Sequence, residues 1–143
     1  MRCIEKTDGP VMELGAGLFS TPVLHWMCAE ARRPLYSYED EKEFFDFIKT
    51  FQSKTHRTRL VENWDDIEVK GHYSVILIDH KKDRRAMDAI KWKDNADYIV
   101  LHDSESRCYN YDEVYKHFKY IYHWKFSSPW TTVVSNYKNL SNL

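Results

Sequence analysis

Acidic residues recur along this chain beside residues that grip ligands through the backbone or carry protons. Glu13 precedes Gly15-Ala16-Gly17, with Ser20 and Thr21 just beyond. Glu39 and Asp40 close a β-prone run, Asp79 and His80 lead into Lys81, Lys82, Arg84 and Arg85, and His102 is followed by Asp103. Gly15 and Gly17 let the backbone turn tightly and come close to a ligand. Ser20 and Thr21 are N-cap types and Pro22 suits a first helical turn, so a helix starting there aims free N–H groups at whatever the loop cradles. Carboxylates accept hydrogen bonds from hydroxyls, imidazoles exchange protons near neutrality, and clustered cations hold anionic groups.

The elements that must position these residues follow from the hydrophobic pattern. Val11–Leu14 reads as a short buried strand and residues 22–32 as a helix stopped by Pro34. Leu35–Glu39 is a second strand. A helix over 40–52 carries Phe44, Phe45, Phe47, Ile48 and Phe51 on a broad apolar face. A third strand falls at 58–61, followed by a polar loop too short for a full crossover helix. Tyr73–Ile78 is a continuous apolar run, as in a parallel strand buried on both faces. A helix over 81–93, a strand over 97–101 and a short helix over 111–116 come next. Two β-rich runs, 118–126 and 131–135, are joined by so short a loop that they must pair antiparallel. The alternation predicts an α/β chain with a doubly wound, mostly parallel sheet. One domain spans 1–143, with 1–9 and 137–143 as tails.

Composition narrows the function classes. With 43% hydrophobic and 15% aromatic residues, the 143-residue chain can fill a core. A net charge of −1 gives no global attraction to nucleic acid or to a membrane surface. Cys3, Cys28 and Cys108 are odd in number and lack metal-ligand spacing, so they read as free thiols in a reducing compartment. No run has membrane-spanning length and no signal-peptide core is visible, so the expectation is a cytoplasmic protein. A homo-oligomer stays open.

In a doubly wound sheet, ligands bind outside the carboxyl ends of the strands. Four strands end in polar residues at that edge: Glu13/Gly15, Glu39, Asp79/His80 and His102/Asp103. Glu39, 22 residues after Gly17, is placed to hold ribose hydroxyls; its other reading is compensation of a helix dipole. The Gly-x-Gly-x-x-Ser loop lacks the third glycine of the dinucleotide fingerprint, which counts against a nicotinamide-dependent oxidoreductase.

Glu13-Leu14-Gly15-Ala16-Gly17, an acidic end to strand two and a closing hairpin together resemble the class I S-adenosylmethionine-dependent methyltransferases, over residues 10–136. The resemblance implies a Rossmann-like sheet of seven strands, order 3-2-1-4-5-7-6, with strand seven antiparallel. It implies that the Glu13–Gly17 loop passes the methionine part of S-adenosylmethionine and that Glu39, with Asp40, holds the ribose. After strand three, Trp64 would stack on adenine and Asp65 would accept from its amine; Trp64 also reads as a core-edge aromatic.

The segment Ile78-Asp79-His80-Lys81-Lys82 further resembles the one after strand four in catechol O-methyltransferase and its metal-dependent relatives. That implies Asp79 as an acid near the reacting groups, Lys82 as a base, and a divalent cation such as Mg²⁺ on Asp79 and Asp103. Ser104 stands where that family has an amide-bearing residue. His80 and His102 each read as a general base or as a structural histidine. Arg84, Arg85, His102 and Tyr109 are candidate substrate contacts, with a solvated helix start and hairpin packing as the alternatives for the arginines and the tyrosine. No Asn-Pro-Pro-Tyr or Asp-Pro-Pro-Tyr follows strand four, which favours a hydroxyl-bearing small-molecule acceptor. A second reading is a cofactor-binding module without transfer activity, or one that acts only with a partner subunit, since nothing in the chain obviously covers an acceptor.

Overall fold

A computed structural model describes residues 1–143. The chain runs α1 (Arg2–Glu5), β1 (Val11–Leu14), α2 (Ser20–Glu30), β2 (Leu35–Glu39), α3 (Lys42–Ile48) and β3 (His56–Leu60). It continues with β4 (Tyr73–Ile78), α4 (Arg85–Lys91), β5 (Ala96–His102), α5 (Tyr111–Tyr115), β6 (Tyr120–Trp124) and β7 (Thr131–Ser135). The seven strands form one sheet in the order β3-β2-β1-β4-β5-β7-β6. The first five are parallel, and β7 lies antiparallel between β5 and β6.

Strand parity divides the core between the two faces. Met12, Leu14, Ile76, Ile78, Ile99 and Leu101 point to one face and pack with Trp64, Ala89, Trp92 and Val114. Val11, Leu35, Val75 and Tyr98 point to the other and pack with Ile4, Leu24, Cys28 and Leu140. Each fully buried aliphatic side chain contributes about 1.5–3 kcal/mol, so β4, which serves both faces, anchors the sheet.

Several boundaries differ from the sequence reading, each for a physical reason. β3 starts two residues early because His56, a polar residue with no strand signal, is buried and bonded to Ser37 of β2 at 2.9 Å. α4 starts only at Arg85, since residues 81–84 form the turn over the sheet edge, with the Arg84 N–H donating to the Lys81 carbonyl. Between β3 and β4 stands only a 3-10 turn, Trp64–Asp66, as the short crossover requires. Neither expected tail is free: Cys3 and Ile4 of α1 and Leu140 are buried in the second core. Arg33, just before β2, is buried at the edge remote from the acid-tipped strand ends. Its guanidinium donates to the carbonyls of Ile4, Thr7 and Gly9 and to Ser74 Oγ, tying α1 to the sheet.

Candidate active site

The carboxyl ends of β1, β2, β4 and β5 meet at one cavity of about 580 Å³. Gly15–Ser20, Glu39–Glu41, Phe44, Leu77, Asp79–Lys81, Arg85 and His102 line it. The structure thus gathers Gly15, Glu39, Asp79 and His102 from four separate strand ends.

The two glycines of the first loop have different tasks. Gly15 has φ +87°, and a Cβ there would lie 2.4 Å from the His80 nitrogen and 2.5 Å from the Asp79 carbonyl carbon. Its freedom therefore serves the close passage of the loop over the end of β4, a constraint from protein rather than from ligand. A Cβ on Gly17 would meet nothing within 4 Å, so this glycine opens on the cavity. The α2 helix begins at Ser20 after Phe19, without a side-chain cap from Ser20 or Thr21 at the N-cap position. Thr21 instead reaches back: its Oγ1 accepts the Gly17 N–H at 3.0 Å and donates to Glu13 Oε2 at 2.9 Å.

Glu13 lies beneath the loop and outside the cavity lining, fully buried. Ser37 also donates to its Oε2, at 2.6 Å, while Oε1 has no partner. Burial pushes its carboxyl up to about 7, against the pull of the hydroxyls. Behind Ser37 stands His56, and behind that His25, with Nδ1 to Nδ1 at 3.0 Å. With the Ser37 proton on Glu13, His56 donates from Nε2 and accepts at Nδ1; burial lowers its pKa to about 4 and keeps it neutral. Glu13 therefore supports the glycine loop through Thr21 and does not face the cavity, unlike its reading from sequence as a direct contact.

Glu39 is the other support of the loop. Its Oε2 accepts the Ala16 N–H at 2.8 Å, and its Oε1 accepts the N–H groups of Asp40 and Glu41 at 2.9 and 2.8 Å. Burial raises its pKa despite these donors. Asp40 pairs with Lys81, so an ion pair links the end of β2 to the end of β4 across the β1 loop. Leu18, Phe19, Phe44 and Leu77 supply the apolar part of the wall. Phe44, read from sequence as a core residue of α3, is exposed into this cavity.

Beyond β4 and β5 the two histidines separate. His80 is buried, donates from Nε2 to Asp88 Oδ2 at 2.7 Å, and packs its ring 4.2 Å from that of Trp64. Its side chain is a structural part of the core, which corrects its catalytic reading. His102 lines the cavity, with Nδ1 at 3.3 Å from Asp79 Oδ1 and 3.1 Å from Asp103 Oδ1. Asp79 first, and Asp103 with it, raise its pKa against burial. Neither carboxylate makes a hydrogen bond of good geometry to Nδ1, so the contact is one of ion-pair proximity.

Other expected contacts fall elsewhere. Trp64 is buried against His80 and Asp65 pairs with Arg84 on the outer surface, so neither lines the cavity that would hold an adenine. Arg84 is taken up by Asp65 and Asp88, and Lys82 is directed toward Cys108, away from the cavity. Tyr109 lies outside the lining, with its ring over the Arg85 guanidinium and its hydroxyl donating to Asp103 Oδ2 at 3.2 Å.

A divalent cation would need the same residues. Asp79, His102 and Asp103 do bring ligand atoms within 4.8 Å of one another. However, Arg85 Nη2 lies 2.8 Å from Asp79 Oδ1 and Nη1 lies 3.1 Å from Asp103 Oδ2. The carboxylates already hold a cation of the protein's own, so the donor set does not fit a metal ion. S-Adenosylmethionine fits better: Gly17 leaves the space that a Cβ would fill, and an acid stands at the end of β2 beside it.

No protein-family model matches the chain, and no curated protein matches its sequence. Solved structures do match its fold. The SAH-bound Podospora anserina methyltransferase PaMTH1 superposes with a TM-score of 0.75 at 11% identity, over 96% of this chain and 77% of that one. A methyltransferase from Pyrococcus furiosus gives 0.61 at 12%, over 96% and 81%. The N-terminal domain of human METTL16 in complex with SAH gives 0.66 at 10%, over 94% and 64%. By its strand order, its one reversed strand and these likenesses, the chain has the class I methyltransferase fold.

Proposed function

We propose that this protein is an S-adenosylmethionine-dependent methyltransferase. The observation that carries the reading is the cavity itself: on this fold, the glycine loop opens at Gly17 directly beside Glu39, with Asp79 and His102 on the same rim. The bound cofactor supplies an electrophilic methyl group on its sulfonium. The protein's part is positioning and proton handling. Glu13, through Thr21, and Glu39 hold the loop from below and from the side, the Asp40–Lys81 ion pair closes the β2 end of the rim, and Phe44 and Leu77 give the wall its apolar part. His102 Nε2 takes the proton that a hydroxyl-bearing acceptor loses. Asp79 and Asp103 stabilise the imidazolium so formed through Nδ1.

Methyl transfer from radiolabelled S-adenosylmethionine to a panel of phenols, alcohols and amines tests the reading. Transfer to hydroxyl acceptors that is lost in His102→Gln supports it. SAH binding with no transfer to any acceptor would instead favour the binding-module reading.

A further inference from the structure

All three nitrogens of the Arg85 guanidinium are engaged, through four hydrogen bonds and one further ion-pair contact. Nε donates to the His80 carbonyl at 2.6 Å. Nη2 donates to the Asp79 carbonyl at 3.0 Å and meets Asp79 Oδ1 at 2.8 Å. Nη1 meets Asp103 Oδ2 at 3.1 Å and the His102 carbonyl at 3.4 Å. The Tyr109 ring covers the guanidinium face at 4.3 Å, and the Tyr109 hydroxyl donates to the same Asp103 oxygen. Arg85 is therefore held on every nitrogen by protein acceptors. It is not a group waiting for a substrate anion, which corrects its sequence reading.

Two carboxylates from adjacent strand ends, with a histidine beside them, are the one group of three metal-ligating residue types that the chain brings together. Arg85 enters that set from the first position of α4. We propose that Arg85 is a built-in cation that takes the place of a divalent ion, so that the acceptor side of the cleft works without a metal and rejects one. Three physical points carry this. The guanidinium fork matches two carboxylates and cannot lose its proton, so its charge is permanent. A dication brought to the same oxygens would sit within a few ångströms of that charge, in a partly buried place where repulsion is weakly screened. Geometry adds to this: Mg²⁺ requires near-octahedral oxygen ligation, whereas the carboxylate oxygens facing Arg85 already lie against its N–H groups. Arg85 is thus a positioning residue. By fixing Asp79 and Asp103, it fixes the two acids that face His102 Nδ1. Asp103 stays below the ordinary carboxylate pKa even though burial opposes this, because His102, Arg85 and Tyr109 all favour its charge.

The role in methyl transfer rests on the function proposed above, but the cation exchange can be tested without any acceptor. Mn²⁺ is titrated into the full-length protein and the free ion is followed by electron paramagnetic resonance, with SAH affinity measured on the same samples. Wild type and Arg85→Lys, which keeps a charge in place, should show no saturable binding at millimolar Mn²⁺. Arg85→Met should gain one Mn²⁺ per chain and lose it again when combined with Asp103→Asn. Saturable binding by wild type that Asp103→Asn removes would overturn the proposal, as would a folded Arg85→Met that gains none. If Arg85→Met fails to fold, Mn²⁺ binding by wild type or Arg85→Lys overturns it and rejection by both upholds it. Absence of SAH binding in samples that reject Mn²⁺ would count against the cofactor reading alone.

Discussion

Glu39 Oε2 accepts the Ala16 N–H at 2.8 Å, so the acid at the end of β2 holds the glycine loop that follows β1. The same carboxylate caps the next turn through Asp40 and Glu41. A residue placed to meet a ribose is thereby also a structural tether, and its loss acts on fold and ligand together. Glu39→Ala should lower stability and weaken SAH binding, each by about 1–3 kcal/mol, because three backbone donors lose a charged acceptor. Thermal melting and calorimetric titration read the two effects separately; an unchanged affinity would remove Glu39 from the cofactor site.

The glycines give a contrast that separates folding from binding. Gly15→Ala should cost more than about 2 kcal/mol of stability, from a left-handed backbone and from overlap with His80 and Asp79. Gly17→Val should melt close to wild type yet lose SAH binding, since its side chain enters the cavity and touches no protein. A Gly17→Val protein that binds SAH normally would contradict the cradle.

Glu13 and His56 titrate in opposite senses beneath the loop. Folding raises Glu13 from 4.5 to about 7, so between these values the folded chain keeps a proton that the unfolded chain has lost, and stability falls as pH rises. Folding lowers His56 from 6.5 to about 4, so there the unfolded chain holds the extra proton and stability rises with pH. The two slopes cancel where they overlap. Glu13→Gln removes one of them, and stability should then climb between pH 4 and 6.5 by about 1.4 kcal/mol per unit. Denaturant melts across that range check the slope; a flat profile would show that His56 is not held neutral.

As the proposed base, His102 should set the pH dependence of transfer. Its carboxylate neighbours favour the imidazolium, so the neutral base forms only above the ordinary 6.5. For a hydroxyl acceptor, kcat/KM should rise with pH through that raised value. His102→Gln should abolish the rise and lower the rate by about 10²–10⁴-fold.

The architecture was largely legible in the sequence because its signals are local. The apolar run at Tyr73–Ile78, the acids that end successive strands and the short loop before Thr131 each imply one element and one edge. Side-chain partners were not legible, because they depend on where a helix begins. His80 lies just past the end of β4 and His102 ends β5, and only Asp88 on α4 makes the first a core residue. Among Lys81, Lys82, Arg84 and Arg85, the start of α4 at Arg85 decides which cation turns inward. Trp64 is a similar case: a single 3-10 turn buries its ring on the core face. Arg33 shows the same limit, since nothing near it in the sequence announces the carbonyls of Ile4, Thr7 and Gly9.

The claim on which the account turns is that the rim cavity holds an adenosyl cofactor, and calorimetric titration of the wild-type protein with SAH tests it most directly. The account predicts saturable one-to-one binding, with a melting temperature that rises with SAH concentration as binding to the folded state requires. No heat of binding and an unmoved melting temperature at saturating SAH would contradict it.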